Sequence, residues 1–154
     1  MINLRRMVSE EFTVYSKYFI ADYAQEISDN YGHSIDKSLE LAKVCLFESF
    51  PNGYELNEQL LLCIEMDSNV IGYVWHCIDQ QEESSFIYDF YIYPNHRNKG
   101  YAKQAIKALE LNLKTVDVHE IKLRVAYHNK RAFKLYQAVG FTVTGYNMSK
   151  KVGG

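Results

Sequence analysis

Residues 93–103 read YPNHRNKGYAK, a short basic loop that leads from the end of an apolar strand into a helix. The first turn of a helix presents unpaired backbone N–H groups and the positive end of the helix dipole, which together can hold a phosphate. The arginine and the two lysines of this loop add positive charge. Gly100 lets a ligand approach the backbone closely, and Ala102 keeps the surface open. An ordinary basic loop that only caps a helix would look the same, so the loop alone leaves phosphate binding open.

Other familiar ligand signatures are missing from the chain. It has neither the G-x-x-x-x-G-K-[ST] phosphate loop nor the G-x-G-x-x-G dinucleotide fingerprint. Its five histidines form no H-x-x-x-H or H-E-x-x-H pair, so no metal site is expected. The cysteines Cys45, Cys63 and Cys77 are odd in number and show no C-x-x-C spacing. They indicate reduced thiols in a cytoplasmic protein rather than a disulfide framework.

On both sides of this loop, hydrophobic periodicity predicts the element order β-α-α-β-β-β-α-β-α-β. The predicted strands are residues 2–7, 60–66, 70–78, 85–93, 121–125 and 141–148. Capping and turn signals divide the helices from their neighbours: Ser9, Asp36 and Asn129 as N-caps, a break at residues 30–32, Pro51, a turn at Asn52-Gly53, and Gly140 after the last helix.

This order predicts an α/β (α+β) fold in which helices cover a mixed sheet. The strand–helix–strand unit over residues 85–125 makes its two strands parallel. A chain of 154 residues with 47% hydrophobic residues, no linker and no repeat suits a single domain over residues 1–154. No apolar run approaches the roughly 20 residues of a membrane span, and the N-terminus lacks the features of a signal peptide. The formal net charge of −2 disfavours a nucleic-acid binder.

A second informative stretch, RVAYHNKRAFKLYQAVGF, covers residues 124–141. Together the two stretches resemble the GNAT family of N-acetyltransferases. Arg97-x-x-Gly100-x-Ala102 is similar to the family's acetyl-CoA signature, written R/Q-x-x-G-x-G/A. The family's second motif is similar to Asn129-x-x-Ala132, followed by Leu135-Tyr136 and Gly140-Phe141. Residues 90–94 resemble the end of the family's fourth strand. The resemblance is detailed over residues 85–149, and residues 1–84 fit by element order.

The resemblance implies a single-domain GNAT-like fold. Its central sheet is mixed and mostly antiparallel, and about four helices flank it. The fourth and fifth strands are parallel and splay apart, and the pantetheine arm of acetyl-CoA fills the gap like an added strand. The family further implies a β-bulge around residues 91–93, which would supply the splay.

The same resemblance implies where acetyl-CoA binds. Its pyrophosphate would lie on the backbone amides of residues 97–102, and backbone groups near Ile92 and the side chain of Asn129 would bond the pantetheine arm. A strand amide would polarise the thioester carbonyl. The implied cofactor-binding residues are Ile92, Tyr93, Arg97, Asn98, Lys99, Gly100, Tyr101, Ala102, Lys103, Asn129, Ala132 and Tyr136.

Tyr136 is the general acid that the resemblance implies, placed to protonate the departing thiolate. Without the family match, a core tyrosine on an apolar helix stripe would look the same. The identity of the general base stays open. The fifth-strand position that often carries a glutamate in the family holds Arg124, and Asp89 is the acid that the fourth strand offers, expected on the same face as Ile87. The histidines His76 and His128 are further candidates.

The resulting interpretation is a cytoplasmic, acetyl-CoA-dependent N-acetyltransferase that acts by direct attack in a ternary complex. The acceptor would be an amine-bearing small molecule or a protein or peptide, and exposed strand edges favour a homodimer. A non-catalytic acyl-CoA-binding regulatory domain is the first alternative, since no obvious glutamate serves as base. A nucleic-acid binder that stacks bases on Phe86, Tyr88 and Phe90 is the second, and the net charge disfavours it.

Overall fold

A computed structural model describes residues 1–51 and 59–153 of the protein. The predicted turn at Asn52-Gly53 lies outside the described residues. The elements are β1 (Ile2–Arg6), α1 (Ser9–Tyr31), α2 (Ile35–Ser49), β2 (Gln59–Met66), β3 (Asn69–Asp79), β4 (Ser84–Ile92), a 3-10 turn (Pro94–His96), α3 (Tyr101–Lys114), β5 (Glu120–Leu123) and α4 (Lys130–Ala138).

The strands form one sheet in the order β1-β2-β3-β4-β5. Neighbouring strands are antiparallel except for β4 and β5, which are parallel. The predicted mixed sheet, and the parallel pair around α3, are therefore confirmed. Within the described ranges no helix is both long and apolar enough to cross a membrane.

Two of the predicted helix caps are wrong. The N-cap of α1 is Val8, and its backbone N–H donates to the Glu11 carboxylate at 3.0 Å, so Ser9 is already the first helical residue. The N-cap of α2 is Ser34, whose hydroxyl oxygen accepts from the N–H of Lys37 at 3.2 Å. Asp36 lies in the first turn of that helix, where a carboxylate suits the helix dipole.

Each face of the sheet is covered by a different set of helices. On one face α3 packs on aliphatic residues such as Ile64, Ile87 and Ile92. On the other face α1 and α2 pack on a more aromatic cluster, and Trp75 and Tyr15 are its largest buried side chains. Charged groups stay at the borders of these clusters because burying an unpaired charge is costly.

A β-bulge on β4 sets the position of the residues that follow it. Trp75 pairs with Asp89 while His76 pairs with Ile87, so Tyr88 is the extra residue. The family-based expectation of a bulge at residues 91–93 is thus wrong. The expectation that Asp89 shares a face with Ile87 is also wrong, because the extra residue reverses the side-chain alternation. Asp89 instead faces α1.

The bulge also marks the point where β4 leaves β5. The two strands pair over residues 84–87 and 120–123 only, and the rest of β4 has no partner on that side among the described residues. On its other side β4 stays very close to β3. A Cβ built on Gly72 would lie 2.0 Å from the backbone oxygen of Tyr91, so only glycine fits there. The short pairing of β4 with β5 confirms that the two parallel strands splay apart after the bulge.

The predicted last strand, residues 141–148, is not formed. The segment has no regular secondary structure and is exposed apart from Phe141, and no strand pairing includes it in the described part of the chain. The helix before it is as predicted: the Asn129 side chain accepts from the N–H of Ala132 at 3.1 Å, and Gly140 has a φ of 105° just past the helix end. The sequence has strand character here, but in this chain the segment lies beside no strand that it could pair with.

Candidate active site

The gap between β4 and β5 opens into a cavity of about 560 Å³. Its walls come from β4 after the bulge and from the chain just after β5, over residues 124–126. Parts of α1, of the loop before α3 and of α4 complete the lining. A ligand in this cavity would therefore contact both motifs found in the sequence.

The loop before α3 forms the end of the cavity where a phosphate is expected. Asn98 and Gly100 have φ angles of 63° and 81°, and these left-handed turns lead the chain into α3. The N–H groups of residues 98–103 donate to no carbonyl or side chain among residues 1–51 and 59–153. A Cβ built on Gly100 meets no atom within 4 Å, so the space in front of these donors is open. The geometry fits an anion.

Most of the predicted cofactor-binding residues line this cavity. The lining includes Ile92, Arg97, Asn98, Gly100, Tyr101, Ala102, Lys103, Asn129, Ala132 and Tyr136. Tyr93 and Lys99 do not line the cavity. Tyr93 instead lies in the aromatic cluster under α1, where its hydroxyl is bonded to that of Tyr73.

Arg97 has a structural position that the sequence motif did not reveal. Its Nε donates to the backbone oxygen of Ile92 at 2.7 Å, and its guanidinium lies 5.0 Å from the centre of the Tyr91 ring. The side chain therefore ties the loop back to the end of β4. It also places a positive charge between the loop and the acidic part of the cavity.

Asp89 lines the cavity, and two hydroxyls contact its carboxylate. Tyr15 donates to Oδ2 at 2.8 Å and Tyr18 donates to Oδ1 at 3.3 Å. Burial, with a smaller contribution from the nearby carboxylates of Asp22 and Glu26, raises the pKa of Asp89 to about 7 against the lowering effect of the two hydroxyls. A carboxylate with such a pKa can accept and release a proton near neutral pH.

Tyr136 projects from α4 into the same cavity and is half-buried. Its ring lies edge-on to Phe141 with 5.5 Å between the ring centres. Burial, together with the negative charges of Asp89 and Glu26, raises the pKa of Tyr136 above its ordinary value. The phenol thus keeps its proton at neutral pH and is available as a donor.

The two histidine candidates are not in the cavity. His76 is buried on β3 with its Nδ1 2.7 Å from the Ser85 hydroxyl, and burial lowers its pKa to about 4. His128 does not line the cavity either. Burial keeps the His76 side chain away from a substrate held between β4 and β5.

Sequence reasoning missed the acidic wall that α1 contributes. Tyr18, Asp22 and Glu26 line the cavity and lie at i, i+4 and i+8 on one face of α1. Burial raises the pKa of both carboxyl groups, and the positive charges of Arg97 and Arg124 oppose this for Asp22 and Glu26 respectively. In the sequence, the two acids follow Tyr18 at intervals of four residues, and this helical spacing was the signal that could have revealed the wall.

A sequence model of the Acetyltransferase (GNAT) family matches residues 19–141. The chain belongs to the GNAT acetyltransferase family. It is 32% identical over 154 residues to the uncharacterized N-acetyltransferase YycN of Bacillus subtilis (strain 168), covering 98% of this chain and 99% of that relative. The crystal structure of YycN matches this fold with a TM-score of 0.92 and 99% of each chain covered.

Two further relatives extend this comparison. The PaiA N-acetyltransferase of Thermoplasma acidophilum, solved in complex with coenzyme A, shares the fold with a TM-score of 0.71 at 20% identity, over 96% of this chain and 93% of that one. The spermidine N(1)-acetyltransferase of Vibrio cholerae is 30% identical over 90 residues, which are 58% of this chain and 52% of that enzyme. The GNAT chain described here is accordingly an acetyltransferase with acetyl-CoA as its donor.

Proposed function

We propose that residues 1–154 form one N-acetyltransferase domain that transfers an acetyl group from acetyl-CoA directly to a primary amine in a ternary complex. The observation that carries this proposal is the single cavity that Asp89, Tyr136 and the open loop before α3 all line. A nucleophile held there lies between a group able to take up a proton and a group able to give one.

The donor would be held along the gap between the strands. The free N–H groups of residues 98–103 and the side chain of Lys103 would take the pyrophosphate. Backbone groups near Ile92 would bond the pantetheine arm as the next strand bonds in a sheet. Asn129 and Ala132 would flank the arm from the start of α4. The side chain of Tyr93 is packed elsewhere, so we propose its backbone alone as a contact, and Lys99 would act through its charge at the rim.

Asp89 would be the general base. An amine is mostly protonated in neutral water and must lose a proton before its lone pair can attack a carbonyl carbon. The raised pKa of Asp89, about 7, suits this transfer because the carboxylate is basic enough to accept a proton and is still largely ionised at slightly alkaline pH. The hydroxyls of Tyr15 and Tyr18, both on α1, orient the carboxylate by their hydrogen bonds.

Tyr136 would be the general acid. Acetyl-CoA supplies the acetyl group as a thioester; the new bond is carbon to amine nitrogen and the broken bond is carbon to sulfur. The ammonium gives one proton to Asp89 before attack, and Asp89 later releases it to solvent. The sulfur receives a proton from Tyr136, which regains one from the second proton that the nitrogen loses after attack. With its raised pKa, the Tyr136 phenol is protonated at neutral pH and so holds the proton that the sulfur needs.

The acceptor would be a cationic amine. Asp22 and Glu26 place two carboxylates on the cavity wall with Asp89. The rings of Tyr18 and Tyr91 line the same cavity and pack at a tilt of 37° with 4.2 Å between their centres. Carboxylates and aromatic faces both attract ammonium groups. The relative named for spermidine acetylation supports a small polyamine as the first substrate to try, with lysine-bearing peptides as the second.

The test is release of free CoA thiol from acetyl-CoA in the presence of a panel of amines. The panel contains spermidine, a diamine, a monoamine and a lysine peptide, with the Tyr136→Phe enzyme as a matched control. We expect amine-dependent thiol release that the variant largely loses. Tight acetyl-CoA binding without turnover on any amine would instead favour the non-catalytic acyl-CoA-binding domain.

A further inference from the structure

An ion pair joins two walls of the cavity. Arg124 lies on the chain just after β5 and Glu26 lies on α1, and both side chains line the cavity. The Nη1 atom of Arg124 is 3.6 Å from Oε1 of Glu26. A positive charge at this place is unexpected in a site for a cationic amine, and no step of the proposed acetyl transfer uses it. The arginine therefore points to a further group on the acceptor.

The two partners of this pair keep hydrogen-bonding capacity for a ligand. A separation of 3.6 Å is longer than an N–H···O hydrogen bond, so the pair is held by charge alone. Arg124 still offers the planar set of N–H donors that binds a carboxylate through two atoms, and Glu26 can accept from an ammonium group. Their side chains are 44% and 36% exposed, so a ligand in the cavity can reach both.

A carboxylate beside a guanidinium matches the two charges at the α-carbon of a free amino acid. The α-ammonium of such a ligand would bind Glu26 and its α-carboxylate would bind Arg124. The single internal ion pair is then exchanged for two charge-assisted contacts, and no net charge is added at this end of the cavity. An amine without a carboxylate would instead bring a second positive charge towards Arg124, which is unfavourable.

The position of the pair relative to Asp89 sets the length of such a ligand. Tyr18, whose hydroxyl contacts Asp89, precedes Glu26 by eight residues on α1. Eight residues correspond to roughly 12 Å of helix at a rise of about 1.5 Å per residue. A ligand with its reactive amine at Asp89 and its α-carbon at Glu26 must therefore carry that amine at the end of a long side chain. Lysine and ornithine are amino acids of this kind.

We propose that the acceptor is a free basic amino acid, with its side-chain amine at Asp89 and its α-ammonium and α-carboxylate on Glu26 and Arg124. This inference rests on the proposed function and names the class of amine that it uses. The acetyl carbon moves from the sulfur of CoA to the side-chain nitrogen, CoA leaves as the thiol, and one net proton goes to solvent. Arg124 and Glu26 contact no reacting atom and determine specificity.

Acceptors that differ by one group test this assignment, with release of CoA thiol as the readout. Lysine is compared with cadaverine, which lacks the carboxylate, and with Nα-acetyl-lysine, which lacks the α-ammonium charge. Ornithine is compared with putrescine in the same way, and spermidine is included. We expect kcat/KM for lysine or ornithine to exceed that of each analogue by about tenfold, as loss of a charge-assisted hydrogen bond predicts. Mass spectrometry should place the acetyl group on the side-chain nitrogen.

The outcomes separate this inference from the proposed function. If cadaverine, putrescine or spermidine is used as well as the amino acids or better, or if the α-nitrogen is acetylated, the amino-acid site is overturned and the acetyltransferase function stands. If no amine releases thiol, the proposed function fails, and this inference fails with it.

Substitutions of the pair test the two residues themselves. Arg124→Gln should lower kcat/KM for lysine about tenfold and bring its ratio to cadaverine close to one, and Glu26→Gln should do the same for the ratio of lysine to Nα-acetyl-lysine. Lys122→Gln is the matched control. Lys122 pairs with Glu120 at the same 3.6 Å and does not line the cavity, so this variant should keep both ratios. Each ratio is taken within one enzyme and is thus independent of the folded fraction. Wild-type ratios in Arg124→Gln and Glu26→Gln would overturn the proposal.

Discussion

The hydroxyl of Tyr15 donates a 2.8 Å hydrogen bond to Oδ2 of Asp89, which lies 74 positions further along the chain. This bond joins the buried face of α1 to β4 just after the bulge at Tyr88. It holds the carboxylate at the cavity instead of leaving it to rotate freely. The residue proposed as general base is therefore oriented by a side chain from the first helix.

Replacing Asp89 with asparagine tests the base directly. The pKa of about 7 predicts that kcat/KM of the wild type rises with pH through about 7, as the carboxyl loses its proton and becomes able to accept one. Asp89→Asn should lower the rate at pH 8 by roughly 10²-fold or more and remove this rise. The measurement is a pH–rate profile from pH 5.5 to 9. A variant that keeps the same rising limb would show that another group is the base.

Replacing Tyr15 with phenylalanine tests the orienting bond. The Tyr15 hydroxyl stabilises the ionised form of Asp89, so its removal should raise the pKa of Asp89 and move the rising limb to higher pH. Tyr18→Phe, which removes the longer 3.3 Å bond, should move the limb less. If both variants lose activity equally at every pH, the tyrosines affect stability rather than the titration of Asp89.

Replacing Tyr136 with phenylalanine removes the proposed acid while the ring stays in place against Phe141. We expect kcat to fall by about 10² to 10³, within the range that general acid catalysis contributes. Affinity for acetyl-CoA should change little, because the loop before α3 is untouched. Steady-state kinetics and calorimetry together separate the two effects, and unaltered turnover would remove Tyr136 from this role.

Replacing Asp22 with asparagine tests the acidic wall. Loss of one carboxylate should raise KM for a polyamine by about fivefold, since charged pairs of this kind contribute on the order of 1 kcal/mol. KM for acetyl-CoA should stay unchanged. Asp29→Asn is a matched control on the same helix, where the carboxylate contacts Gln25 and does not line the cavity. Equal effects of both changes would show that overall charge, not the wall, attracts the amine.

Much of the fold follows from local signals in the sequence. The hairpin of β2 and β3, the break of α1 at Gly32 and the strand–helix–strand unit around α3 depend on residues close together in the chain, and the structure has all three. The cap of α1 shifted by one residue because Glu11 accepts from the N–H of Val8, and that of α2 by two because more than one polar residue near its start can serve that role. Ser34 and Asp36 are such a pair, and only the helix geometry decides between them.

The parts that the sequence did not predict depend on contacts between distant residues. Neither the bulge at Tyr88 nor the tie from Arg97 to the Ile92 carbonyl leaves a local pattern. The contact of Tyr15 with Asp89 requires α1 to lie over β4, which periodicity cannot specify. For residues 141–148 the local sequence pattern predicted a strand that the structure does not have. A strand also needs a neighbouring strand, and none pairs with this segment among the described residues.

Calorimetry of acetyl-CoA binding tests whether the loop before α3 holds the donor. We expect micromolar binding to the wild type and loss of binding in Gly100→Val, because the added side chain would fill the open space before the loop amides. Gly32→Val is the matched control, since it strains an equally left-handed residue at a helix end that does not line the cavity, and it should bind normally. Wild-type protein that does not bind acetyl-CoA, or Gly100→Val that binds it as tightly as the wild type, would contradict the account.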